Sequence, residues 1–282
     1  MSDSERDGPG DDRWGLSGAV AVVTGATRGL GRAMARQLAD SGARVVVVGR
    51  STRAQPHRLL PGTLEEVVND LEGRGANVLP LQADLSRPDD ARRVVDDTLA
   101  WAGRCDVLVC NASYTPAGTF FDVTPGRWAV GWNITVMSAV VLCQGFLPGM
   151  LERRSGRVLA IGSGSAAYQT APSPDWAPHA EGYGPPLLYP VSKAALERLI
   201  TGLHDDFGGR GVAFTNLRAG EMTSEAWHLM SGQMGMGGST EHIQTPDDVA
   251  AAAVWLLARD ESISGQIVDF HWLQEQGALP VK

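Results

Sequence analysis

Short runs of β-branched and small apolar residues recur along the chain, separated by longer stretches in which apolar residues return every three or four positions. Residues 19–23, 44–48, 77–81, 106–110, 157–161, 212–217 and 266–270 have the length and composition of strands. Residues 32–39, a segment beginning near Thr63, and residues 89–101, 128–151, 189–206 and 246–258 have helical length or period. Pro246 opens the last of these, where a helix tolerates a missing N–H. Strands that alternate with helices imply right-handed crossovers and a largely parallel sheet covered on both faces. Apolar runs such as residues 45–48 suit strands buried on two sides. The predicted fold is therefore α/β: one doubly wound domain over residues 16–282, with about seven parallel strands and helices on both faces.

Three segments interrupt the rhythm. Residues 1–15 are polar and glycine-rich and read as a disordered lead-in. Residues 51–62, with Pro56 and Pro61, form a long basic loop. Residues 171–186 hold Pro172, Pro174, Pro178, Pro185 and Pro186, which excludes regular structure and suggests a binding loop or lid.

Composition narrows the functional classes. The chain has 282 residues, 43% of them hydrophobic, enough for one large core. A net charge of −8 argues against nucleic-acid or anionic-membrane partners. No stretch of 18 uninterrupted apolar residues is present, and no apolar leader opens the chain. Cys105, Cys110 and Cys143 show neither metal nor redox spacing, so the expectation is a reducing cytoplasm, with Cys110 a core thiol. His179, His204 and His228 lack ligand spacing, and no metal site is expected.

Candidate chemistry begins after the first strand. Thr24-Gly25-Ala26-Thr27-Arg28-Gly29-Leu30-Gly31 is a glycine turn between strand and helix. Such a turn lets a dinucleotide's phosphates approach backbone N–H groups at a helix N-terminus, which makes Gly25, Thr27, Arg28, Gly29, Leu30 and Gly31 cofactor candidates. An NAD site usually carries an acid at the end of the second strand; here that end reads Gly49-Arg50, and Arg28 lies in the turn itself. Two guanidinium groups and no acid favour a 2′-phosphate, hence NADP(H) over NAD(H).

A second constellation lies farther on. Tyr189 and Lys193 stand four residues apart in a helical run, so both side chains share one face. A cation near a phenol favours the phenolate and is expected to draw its pKa below the usual value of about 10. Ser163, at the end of the fifth strand, is placed where open α/β sheets bind ligands; Ser165 is its alternative.

Taken in order, Thr24-Gly25-x-x-x-Gly29-x-Gly31, Asp84-Leu85, Asn111-Ala112, Ser163 and Tyr189-x-x-x-Lys193 resemble the classical short-chain dehydrogenase/reductase family over residues 16–270. The resemblance implies a Rossmann-type domain, dimeric or tetrameric through two large helices. It places Asp84-Leu85 at the adenine, Asn111-Ala112 beside the sheet and cofactor, and Gly220 with Thr223 or Ser224 near the nicotinamide amide. Ser163, Tyr189 and Lys193 become the catalytic core: Tyr189 exchanges a proton with a carbonyl or alcohol oxygen, Lys193 holds the nicotinamide ribose and lowers the phenol's pKa, and Ser163 bonds the substrate oxygen.

Departures are equally visible. Ser113 replaces a family glycine, Ala219 a family proline, and the closing Asp-Gly-Gly is absent. Thr135 stands where the family has a further catalytic Asn. Asn133, two residues earlier, faces away unless the helix is kinked. Pro190 fits only at a helix start. The serine-to-tyrosine spacing is about twice the family's habit, which makes residues 171–186 an insertion beside the substrate.

Tyr168, Trp176 and Tyr183, with Trp227, Met230, Met234 and Met236 in a methionine- and glycine-rich lid over residues 226–238, suit a bulky apolar ligand or a subunit interface. Three readings follow: an NADP(H)-dependent carbonyl reductase or alcohol dehydrogenase, a reductase of a C=C or C=N bond on the same scaffold, and a non-catalytic NADP(H) sensor.

Overall fold

Each predicted strand pairs in parallel within one seven-stranded sheet of order β3-β2-β1-β4-β5-β6-β7. The computed structural model describes residues 15–167, 187–233, 243–259 and 261–278. The expected lead-in up to residue 14, the proline-rich segment and residues 234–238 of the lid lie outside the described residues.

The strands are β1 (Val20–Thr24), β2 (Arg44–Gly49), β3 (Val78–Gln82), β4 (Val107–Cys110), β5 (Gly156–Gly162), β6 (Val212–Arg218) and β7 (Ile267–Asp269). The helices are α1 (Gly29–Asp40), α2 (Leu64–Gly73), α3 (Pro88–Ala102), α4 (Pro125–Trp132), α5 (Ser138–Arg153), α6 (Leu188–Phe207), α7 (Glu225–Gln233), α8 (Pro246–Leu257) and α9 (Phe270–Glu275). Strand order reverses between β1 and β4, and ligands of open α/β sheets bind outside the carboxyl ends at such a point.

Alternation explains the two-sided burial. Val45 and Val47 join the core beneath α1, α2 and α8, whereas Val46 and Val48 join the core beneath α3, α5 and α6. Burying each such side chain contributes roughly 1.5–3 kcal/mol, so a four-valine run anchors the sheet centre from both faces. Thr63 caps α2 and Thr245 caps α8, each through a reciprocal capping box.

Two elements differ from the sequence expectation. The seventh strand is shorter, because the Asp269 carboxylate accepts the Trp272 N–H at 2.7 Å and turns the chain into α9. The single long helix around residues 128–151 is α4 and α5 joined through a π-helical turn at Asn133–Met137. Among the described residues, Pro125–Arg153 is the one helical run apolar and long enough to cross a membrane. Its Leu142, Phe146 and Met150 are buried in the sheet core, as in the central helix of a globular domain.

Candidate active site

The carboxyl end of β1 is stitched to that of β4. The Thr24 hydroxyl donates to the Val109 carbonyl (3.0 Å) and accepts the N–H groups of Asn111 (2.9 Å) and Ala112 (3.0 Å). The Asn111 amide donates to the carbonyls of Thr24 (2.8 Å) and Gly25 (3.4 Å). Asn111 and Ala112 therefore tie β4 to the glycine turn. Gly25 turns the chain with φ of 66°. A Cβ on Gly31 would collide with the Gly25 carbonyl oxygen and lie 2.6 Å from Asn111 Nδ2, so only glycine lets α1 begin there. Thr27 and Leu30 are buried, Thr27 against Gly49.

Charge gathers around the end of β2. Arg28 donates through Nε to the Pro61 carbonyl (2.8 Å) and through Nη2 to Ser51 Oγ (2.9 Å) and the Gly62 carbonyl (3.1 Å). It braces the basic loop from within. Burial lowers its pKa, as does the neighbouring Arg50, while Glu225 opposes them. Arg50 itself is exposed. His57 joins this cluster: its Nδ1 accepts the N–H groups of Leu59 (3.1 Å) and Leu60 (3.0 Å), which leaves the ring proton on Nε2. Burial, then Arg28 and Arg50, hold its pKa below the usual imidazole value. Glu225 accepts the Gly29 N–H at 2.9 Å, at the N-terminus of α1. Neither His57 nor Glu225 was legible in sequence, because each reaches the turn from a distant loop or helix.

Asp84 accepts both the N–H (3.1 Å) and the hydroxyl (2.8 Å) of Ser86 and donates its own N–H to Asp90 (2.7 Å); Leu85 is a core residue. Gly220 is exposed at the end of β6. Thr223 is tied through its N–H to the Gln244 carbonyl (2.9 Å), while Ser224 caps the start of α7 and lies toward Gly29.

Ser163, Tyr189 and Lys193 meet at the carboxyl end of β5. Tyr189 and Lys193 occupy the first turns of α6, with Pro190 inside its first turn, where no intrahelical N–H is needed. The Ser163 side chain lies near enough to the phenol to act on its pKa. Ser163 Oγ is also 2.9 Å from Ser165 Oγ, and Ser165 is exposed. Lys193 is 1% exposed; its ammonium donates to the Ile161 carbonyl at 2.6 Å and lies 5.7 Å from the Tyr189 ring centroid. It is one of two lysines in a chain otherwise supplied with arginines, and lysine is the cation whose pKa burial can move. Burial lowers it to about 8, against the pull of Glu197 and of Cys110.

The phenol departs from the sequence expectation. Burial pushes Tyr189 above its usual value, the Ser163 side chain opposes that rise, and Glu197 adds to it. The phenol's pKa thus stands above its usual value in spite of the neighbouring Lys193. The fourth position is also clarified. Asn133 donates to the Ser86 carbonyl (2.9 Å), and the buried Thr135 hydroxyl has no hydrogen-bond partner within the π turn.

Known proteins share this architecture. The family model for short chain dehydrogenases matches residues 19–233. Human dehydrogenase/reductase SDR family member 4 is 30% identical over 261 residues, covering 90% of this chain and 86% of that protein. A short chain dehydrogenase of Pseudocercospora fijiensis is 30% identical over 213 residues, covering 74% of this chain and 62% of its own length. Among solved structures, a 3-oxoacyl (acyl-carrier-protein) reductase of Agrobacterium tumefaciens with NADP bound superposes with a TM-score of 0.74 at 26% identity, covering 91% of this chain and 94% of that one. The chain belongs to the short-chain dehydrogenase/reductase family and is an NAD(P)-dependent oxidoreductase.

Proposed function

We propose that this enzyme moves a hydride between NADP(H) and a ketone or secondary alcohol, with Tyr189 as general acid and base. The observation that carries the reading is the convergence at the end of β5 of Ser163, the nearby Tyr189 phenol and, one helical turn on, the buried Lys193. When bound, the nicotinamide supplies or takes the hydride. Ser163 donates to the substrate oxygen, where negative charge grows, and Tyr189 gives its proton to that oxygen during reduction. Lys193 holds the nicotinamide ribose, with Ile161 fixing its direction. Gly220 and Thr223 border the nicotinamide end; Asp84, Leu85, Asn111 and Ala112 line the way to the adenine.

The residues fit the phosphorylated cofactor. A cradle that a Cβ at Gly31 would close admits backbone to phosphate, and Arg28, Arg50 and His57 gather where a 2′-phosphate would lie. The A. tumefaciens relative is described with NADP bound. Arg50→Ala should weaken NADPH binding about tenfold, or ~1.4 kcal/mol, and leave NADH nearly unchanged, measured by nucleotide fluorescence. Equal losses for both would refute the phosphate assignment. Glu225 holds the N–H that a pyrophosphate would take, so Glu225→Gln should tighten NADPH about threefold in the same titration.

The substrate is a small-molecule carbonyl or alcohol, a bulky and apolar one if the segments around residues 171–186 and 226–238 border it. Exposed Phe120, Phe121, Leu187 and Val191 suit a homodimer or homotetramer, and three buried free thiols suit a reducing cytoplasm. The direct test mixes enzyme, NADPH and a panel of ketones, imines and activated alkenes, following absorbance. Oxidation of NADPH with ketones supports the proposal; turnover only with alkenes or imines, or binding without turnover, overturns it.

A further inference from the structure

The face of α6 that carries Tyr189 and Lys193 continues one turn further, to Glu197. Spacings of i, i+4 and i+8 set the three side chains along one stripe facing β5. Glu197 is 3% exposed, and its carboxylate accepts three hydrogen bonds from two residues. Oε1 accepts the Ser163 N–H (3.3 Å) and Arg218 Nε (3.0 Å), and Oε2 accepts Arg218 Nη2 (2.7 Å). Its backbone carbonyl accepts the Asn216 amide (3.2 Å). A methyl group on Gly162 would run into Oε1, so the strand before Ser163 is glycine where it meets the acid. Arg218 ends β6, in register between Gly162 of β5 and Asp269 of β7.

Sinking an ion pair at this depth costs several kcal/mol per ion before attraction repays it, and apolar residues would join β5 to α6 at less expense. The charge is spent at one place: beneath the Ser163 backbone, from where the carboxylate also acts through space on the Lys193 ammonium. We propose that Glu197, clamped by Arg218, is a positioning residue for the reaction, fixing Ser163 through its N–H and facing Lys193 with a carboxylate that cannot swing away. This rests on the oxidoreductase reading above. The groups facing Lys193 are Tyr189 and Glu197 on its own helix and Cys110 from β4; Arg218 faces Glu197 from β6, with Asp269 beyond it.

The test uses the full chain labelled with 13C-lysine, in which Lys193 and Lys282 are the two reporters. In Glu197→Gln, the Lys193 titration midpoint should fall by about one pH unit from its parent value near 8. The kcat should fall at least ~10-fold, with the KM for NADPH moving much less. If the single variant misfolds, Glu197→Gln with Arg218→Gln removes both charges and keeps amide pairing; the same two changes are expected. A folded variant whose Lys193 midpoint or kcat stays at the parent value overturns the inference. Absence of Tyr189-dependent ketone turnover in the parent enzyme would instead refute the proposed reaction, and the lysine signal would still report whether Glu197 acts on Lys193.

Discussion

Tyr189→Phe should lower kcat for ketone reduction by about 10²- to 10⁴-fold, while NADPH affinity and thermal stability stay near those of the parent enzyme. The substitution removes one hydroxyl and keeps the ring that packs beside Lys193, so the loss isolates the proton. Stopped-flow or steady-state absorbance gives the rate, and fluorescence titration gives the affinity. A Phe variant with more than a tenth of parental kcat would mean another group supplies the proton. The pH profile follows from the same geometry. Burial and Glu197 keep the phenol protonated through neutral pH, the form that reduction requires. Lys193, lowered to about 8, carries its charge below that pH and loses it as pH rises through it. Reduction should therefore be flat near neutrality and decline above about pH 8, with the lysine and not the tyrosine setting the alkaline limit. In the oxidative direction the raised phenol is a handicap, since a phenolate must form.

Gly31→Ala should cost about 1–3 kcal/mol of stability and abolish measurable NADPH binding at micromolar concentrations. The added Cβ meets the Gly25 carbonyl oxygen and lies 2.9 Å from Gly25 C and 2.6 Å from Asn111 Nδ2. Two of these atoms are backbone, and the third is tied to the Thr24 and Gly25 carbonyls, so none can yield cheaply. Relief would require α1 to move away from the turn, which separates the helix N-terminus from the phosphate site. Gly73→Ala is the control: nothing lies within 4 Å of its added carbon, and Ala is the better helix former, so stability should hold or rise slightly. Thermal unfolding and NADPH titration of the two variants check both statements. A Gly31→Ala enzyme that binds NADPH normally would remove close approach as the reason for this glycine.

Which residues form strands was legible because apolar runs such as residues 45–48 have one stable use in a chain of this length, burial on both faces of a parallel sheet. The glycine turn and the Tyr189–Lys193 pair were legible for a related reason: each is a pattern of local spacing along one turn or one helix face. The helix Glu225–Gln233 escaped, since its sequence advertises methionine and glycine and its cap, Ser224, is one hydroxyl among many. So did the π turn at Asn133–Met137, which no periodicity announces.

The sequence by itself determined the class of fold and the succession of strands and helices, because these follow from short-range periodicity, and it set Tyr189 and Lys193 on one helix face as candidates. Only the tertiary structure decided the electrostatic setting. It brought Glu197 and Arg218 beneath Ser163, aimed Lys193 at the Ile161 carbonyl and pushed the phenol's pKa up where the pair alone suggested down. Desolvation and charge pairing depend on which distant segments exclude water around a group, and no local pattern encodes that.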